Sequence, residues 1–132
     1  MPFLYIILLS LDRLLKFLAS NNYFNNLGIK NILYLTFEKN YFLSFGIKIN
    51  NNLIIFLSII FFIFLYFYIY KKNRNISFYL IFIGAFSNLM DRIFNGYVID
   101  YINFFNINVF NFSDILIFLG FIILIKNKLY DK

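Results

Sequence analysis

A loop of 13 residues separates Asp100 from Asp114, and each aspartate adjoins an apolar stretch. If the loop folds back, the two carboxylates converge. Two carboxylates at close range cannot both ionise, so one keeps a proton and the other becomes a base. Such a pair can activate water while polarising a carbonyl group, and it titrates as a unit. Taken alone, Asp114 has a plainer use. It follows Ser113 at the start of an apolar run, and either residue suits the N-cap of a helix whose N-terminus favours negative charge.

A second group of polar residues precedes the pair. Asn88, Asp91 and Arg92 are spaced i, i+3, i+4 and share one face of a helix. Asp91 suits a structural role, locking helices together, and Arg92 suits a lipid phosphate or a carbonyl oxygen. Gly96 then permits a turn, and Val98 and Ile99 favour an extended chain that presents Asp100. Asp12, Arg13 and Lys16 interrupt the first apolar stretch. A charge at the centre of a bilayer costs about 2.5–3.5 kcal/mol on insertion scales, so charges retained in such a chain point to a use.

The setting is apolar: 62% of the 132 residues are hydrophobic, against about 45–50% in a soluble domain. This predicts an integral membrane protein. The chain has no cysteine and no histidine. Their absence excludes disulfides, thiol nucleophiles, Ser-His-Asp triads and the His-Glu-x-x-His zinc site. Neither a metal nor a cofactor is expected. The net charge of +6 comes from basic residues that form no stripe with exposed aromatics. No nucleic acid is expected as a partner, and anionic membrane lipids account for the charge better.

Four apolar stretches, at about residues 3–19, 53–70, 76–93 and 112–129, approach the roughly 20 residues that span a bilayer. The predicted fold is an all-α membrane protein of four transmembrane helices in a single domain, residues 1–132. Leu18-Ala19-Ser20 resembles a signal-peptide cleavage site, but Arg13 and Lys16 lie within or after the apolar run rather than before it, which predicts a retained helix. Lys71, Lys72 and Arg74 between the second and third stretches, with Lys126, Lys128 and Lys132 at the end, place both termini in the cytoplasm. The connections at about 20–52 and 94–111 then face outward. The first is long for a structureless loop. Its run Ile32–Phe37 has strand composition, and 41–49 is rich in Phe and Ile, so a small outward-facing β-rich region is expected between the first two helices. The second connection is aromatic enough to rest in the membrane interface.

The order of these residues resembles a known family. Gly84-Ala85-x-x-Asn88-x-x-Asp91-Arg92, Gly96-x-Val98-x-Asp100-Tyr101 and Phe110-Asn111-x-x-Asp114 are similar to the C-terminal signature of the lipoprotein signal peptidases (signal peptidase II). Asp12 and Lys16 match the Asp-x-x-x-Lys pair of that family's first helix. Asn40 and Phe45 match the ends of its Asn-x-Gly-x-x-Phe motif, with Phe42 in place of the glycine. The resemblance implies a membrane-embedded aspartic endopeptidase. It would remove the signal peptide from diacylglyceryl-modified prolipoproteins just before the lipidated cysteine. It implies Asp100 and Asp114 as the catalytic pair. Asn88, Asp91, Arg92, Asn111, Asp12 and Lys16 would support them, and Asn40 would contact substrate. The enzyme would work in the bacterial cell (inner) membrane, its active site toward the outer face, and a monomer is expected because nothing in the sequence suggests a dimer face.

Other chemistries fit less well. A rhomboid-type serine protease needs a histidine. A Ser113–Lys16 dyad would have Asp114 beside its nucleophile, and the Gly-x-Gly-Asp motif of presenilin-like and prepilin peptidases is absent. A proton or ion path through Asp91, Asp100 and Asp114 would need polar residues through the full depth, and the second helix offers none. An inactive substrate-binding relative is the remaining alternative.

Overall fold

The four apolar stretches form four helices in a computed structural model that describes residues 2–24, 27–29, 31–42, 49–71 and 75–130. They are α1 (Pro2–Ser20), α2 (Asn51–Lys71), α3 (Ile76–Asn95) and α4 (Phe112–Tyr130), each within about two residues of its expected bounds. Local chemistry sets the ends of α3. The side chain of Asn75 accepts from the Ser77 amide at its start. At its end Gly96 turns left-handed (φ 81°) and donates to the Arg92 carbonyl.

Four short strands complete the fold: β1 (Gly28–Ile29), β2 (Leu33–Asn40), β3 (Val98–Phe104) and β4 (Asn108–Phe110). They form one antiparallel sheet in the order β1-β2-β3-β4. This corrects the expected β-rich region, which was confined to the connection between α1 and α2. The connection between α3 and α4 supplies half of the sheet, and β2 pairs with β1 on one side and β3 on the other. Composition marks a run as strand-like, but a pairing across some 60 positions leaves no local trace. Tyr41 and Phe42 leave the sheet, and residues 43–48, with Phe45, lie outside the described residues. Because both connections join one sheet, the α1–α2 and α3–α4 turns lie at the same end of the helices.

β3 is buried on both faces, which accounts for its Val-Ile composition. Ile99 and Tyr101 pack with Ala19 of α1. The alternate residues Val98 and Asp100 turn the other way, into a cleft. A register shift between Leu35 and Glu38 sets Glu38 opposite Asp100 and Asn40 opposite Val98.

α3 and α4 pack closely through two glycines. A Cβ at Gly84 would collide with the Ser113 carbonyl and would come within 2.8 Å of Ile117 Cγ1. A Cβ at Gly120 would meet Ile81 Cγ1 at 2.6 Å and the Ser77 carbonyl at 2.7 Å. Small residues let helix backbones approach in this way. Gly84→Val is expected to force the helices apart beside Asp114 and to cost about 1–3 kcal/mol of stability, read as a lowered unfolding midpoint with reduced activity. An unchanged midpoint would show that the contact yields without cost.

The outer faces of the helices are apolar. Phe3 and Phe17 of α1, Phe56 and Phe64 of α2, and Phe118 and Ile125 of α4 are all largely exposed. Among the described residues, α3 is the helix long and apolar enough to cross a membrane by length and composition; the apolar part of α2 described in full, Asn51–Phe67, is shorter.

Candidate active site

The N-terminus of α4 organises the site. The first amides of a helix lack partners within it, and here side chains from three other places supply them. The Phe112 amide donates to the Tyr101 hydroxyl (3.2 Å), the Ser113 amide to Asp12 Oδ1 (3.0 Å) and the Asp114 amide to Asn111 Oδ1 (3.0 Å). Asp114 Oδ2 in turn accepts from the Asn111 amide (3.1 Å). This reciprocal pair is a capping box. The N-cap is therefore Asn111, not Ser113 or Asp114 as the sequence suggested. Asp114 occupies the third helical position, with its carboxylate turned back to the cap.

Asn111 also reaches the other aspartate. Its Nδ2 donates to Asp100 Oδ1 at 2.6 Å, so one side chain fixes the start of α4 and holds Asp100. Asn40, at the end of β2, donates to Asp100 Oδ2 at 2.7 Å. Asn88 of α3 donates to Asp114 Oδ1 at 2.8 Å. Asp100 and Asp114 thus face the same cleft of about 1140 Å³, with Asn40, Asn88 and Arg92 also in its walls. Burial, reinforced by the charge of Asp114, pushes the Asp100 carboxyl up to about 7; hydrogen bonds from Asn40 and Asn111 and the charge of Lys16 oppose the rise.

Phe42 stands where the resembling motif has glycine, and the local backbone tolerates it. Phe42 is absent from the described non-glycine residues with positive φ, so no left-handed strain arises there. Its amide donates to Asn40 Oδ1 (2.9 Å), a side-chain-closed turn, and its carbonyl accepts from Arg92 Nη2 (2.6 Å). Arg92 Nη1 is buried and has no partner among the described residues.

Behind the aspartates lies a closed ionic network. Lys16 is fully buried and its Nζ lies 3.2 Å from Asp12 Oδ2, 2.8 Å from Asp91 Oδ2 and 2.8 Å from Asn88 Oδ1. Arg13 Nη1 pairs with Asp91 Oδ1 at 2.5 Å, the Ser87 hydroxyl donates to Asp12, and Asp91 Oδ2 accepts from the Ile99 amide. Two cations balance two anions, and nearly every oxygen and proton is partnered, which burial of charge demands. Asn88 accepts from Lys16 and donates to Asp114, linking this network to the cleft.

Every described residue singled out from the sequence lies in this assembly: Asp100, Asp114, Asn40, Asn88, Arg92 and Asn111 around the cleft, Asp12, Lys16 and Asp91 behind it. Arg13, Ser87 and Tyr101 join them without having been assigned a place. Arg13 was legible as a charge beside Asp12 in an apolar helix. Tyr101 was legible as a motif residue after Asp100 but without a role, and Ser87 carries no signal beyond a polar group beside a motif residue.

Comparison first shows the class of fold. The chain superposes on a bacterial membrane enzyme solved by the in meso method with a TM-score of 0.82, covering 98% of this chain and 87% of that one at 23% identity. A second bacterial membrane enzyme solved in the same way gives 0.78, covering 98% and 92% at 24% identity. Residues 4–130 match the family described as signal peptidase (SPase) II, and the chain belongs to that family of peptidases. It is similar to the lipoprotein signal peptidase of Wigglesworthia glossinidia brevipalpis, 40% identical over 122 residues that cover 82% of this chain and 80% of that one. The lipoprotein signal peptidase of Fusobacterium nucleatum is 31% identical over 144 aligned positions, covering 97% and 85%.

Proposed function

We propose that this peptidase is a membrane-embedded aspartic endopeptidase. It removes the signal peptide from diacylglyceryl-modified prolipoproteins by cutting just before the lipidated cysteine. The observation that carries the mechanism is the coupling of Asp100 and Asp114 through Asn111 in one cleft. The printed names of the relatives support the substrate class.

In the reaction the ionised member of the pair takes a proton from water as the water oxygen attacks the scissile carbonyl carbon. The protonated member gives its proton to the carbonyl oxygen. As the tetrahedral intermediate collapses and its C–N bond breaks, the carboxyl that took the water proton gives it to the departing amine, and one hydroxyl of the intermediate returns its proton to the other carboxylate. Arg92 and Asn40 line the cleft; Nη1 of Arg92, buried without a partner among the described residues, would turn to a substrate carbonyl, and Asn40 would meet the extended substrate backbone.

Membrane embedding is supported by the apolar outer faces, since soluble proteins rarely expose large contiguous apolar surface. The buried charges gather at the sheet end of the helices, while Lys126 and Lys128 lie at the other end of α4. This polarity supports cytoplasmic termini and an active site at the outer face of the bacterial inner membrane. A lipidated substrate would then arrive sideways through the bilayer, and a single chain carries the whole catalytic pair.

The test is a gel-shift assay of the purified protein on a prolipoprotein with and without its diacylglyceryl group. Cleavage of the modified form supports the reading; an inert protein overturns it. The pH profile adds a second check. With Asp100 raised to about 7, the shared proton is lost as pH rises through that region, and kcat/KM falls on the alkaline side. The Asn40 hydrogen bond favours the charged carboxylate, so Asn40→Ala is expected to move the alkaline limb to higher pH. A limb that stays in place or moves down contradicts this role for Asn40.

A further inference from the structure

The chain has one glutamate, Glu38. The other described acidic residues are all engaged: Asp12 and Asp91 in the buried network, Asp100 and Asp114 in the cleft. Glu38 is exposed and forms no ion pair among the described residues. Its neighbour Lys39, which also lines the cleft, forms no ion pair with it; the Lys39 ammonium sits 5.1 Å from the centre of the Tyr97 ring. In the β2–β3 register Glu38 stands directly opposite Asp100. Directly opposed residues project from the same face of a sheet, with Cβ atoms roughly 4.5–5.5 Å apart. Two positions on, Asn40 shares that face and holds Asp100. Glu38 lines the catalytic cleft with them.

A carboxylate set across from a catalytic carboxylate is unfavourable to the strand pair itself. It adds an unpaired negative charge to a wall that also holds Lys39 and Arg92. We propose that Glu38 makes the cleft prefer substrates with a basic side chain just after the lipidated cysteine. This rests on the peptidase reading above. The signal-peptide side of the substrate is apolar and stays among the helices. On that reading the part that continues past the cysteine would leave over the sheet, where Glu38 lines the cleft.

The experiment uses three diacylglyceryl-modified prolipoproteins that differ only in the two residues after the cysteine, Lys-Lys, Gln-Gln or Glu-Glu. Each is cleaved in neutral detergent by wild type, Glu38→Gln and Glu38→Lys. For wild type the ratio of kcat/KM for the Lys-Lys over the Glu-Glu substrate is expected to be about three- to fivefold, the range of an exposed ion pair, and to shrink with added salt. Glu38→Gln is expected to bring the ratio close to one, and Glu38→Lys to invert it. A wild-type ratio near one overturns the proposal and leaves the peptidase reading intact. A ratio that persists in Glu38→Gln, or that salt does not weaken, also overturns it. Wild type that cleaves none of the three overturns the peptidase reading, and this proposal with it.

Discussion

Asp100→Asn and Asp114→Asn are each expected to lower kcat on a diacylglyceryl-modified prolipoprotein by about 10²–10⁴-fold, the contribution of a positioned acid or base, while the protein stays folded. The fold tolerates these swaps because an amide has nearly the shape of a carboxyl group. At position 114 the amide oxygen can still accept from the Asn111 amide, which keeps the capping box closed. At position 100 it can still accept from either Asn40 or Asn111. What an amide cannot do is hold and release the shared proton. Residues that act as a unit are also not additive, so the double variant is expected to be little slower than either single one. Unfolding midpoints near wild type, measured beside the gel-shift rates, separate lost chemistry from lost fold. If either variant keeps near-full activity, the carboxylate-pair mechanism is wrong.

Lys16→Met is expected to be the most damaging single change to stability, at about 3–5 kcal/mol, the cost of removing one partner from a buried ion pair. Methionine fills similar volume, so the loss is electrostatic rather than steric. Asp12 and Asp91 would remain buried with only Arg13 to balance them, and Arg13 is more than a third exposed and pairs with Asp91 alone. Arg13→Met should cost clearly less. Combining Lys16→Met with Asp91→Asn should recover part of the loss, because the two residues share one interaction and their effects couple. Denaturant or thermal midpoints in detergent give the cycle. A Lys16→Met protein that unfolds like wild type would show that the network adds nothing to stability.

Much of the site was legible because its chemistry is carried by residues that an apolar chain has little other reason to keep. Asp12, Lys16, Asp91 and Arg92 stand out against Leu, Ile and Phe, and helical spacing put Asn88, Asp91 and Arg92 on one face. The helices were legible from the lengths of the apolar runs. The capping of α4 was misread because Ser113 and Asp114 are better known as caps by type, whereas geometry decided for Asn111. The sheet was half read: β2 shows in its composition, but its pairing with β3 depends on how the helices bring two distant connections to one end. Ser87 could not be found, and Tyr101 only as a motif residue without a role, since a hydroxyl gains its role here only from what stands across from it.

The start of α4 has a consequence for the timing of synthesis. The Ser113 amide and Asp12 are 101 positions apart, so the ribosome delivers Asn111 and Asp114 long after Asp12. Until that part is in place, the earlier elements hold Asp100 without its main partner and Asp12 without one of its donors. On the carboxylate-pair reading, the nascent chain therefore stays catalytically blank until α4 docks. On the same reading, a chain broken off before residue 111 would carry one half of the proposed pair and is expected to cut nothing.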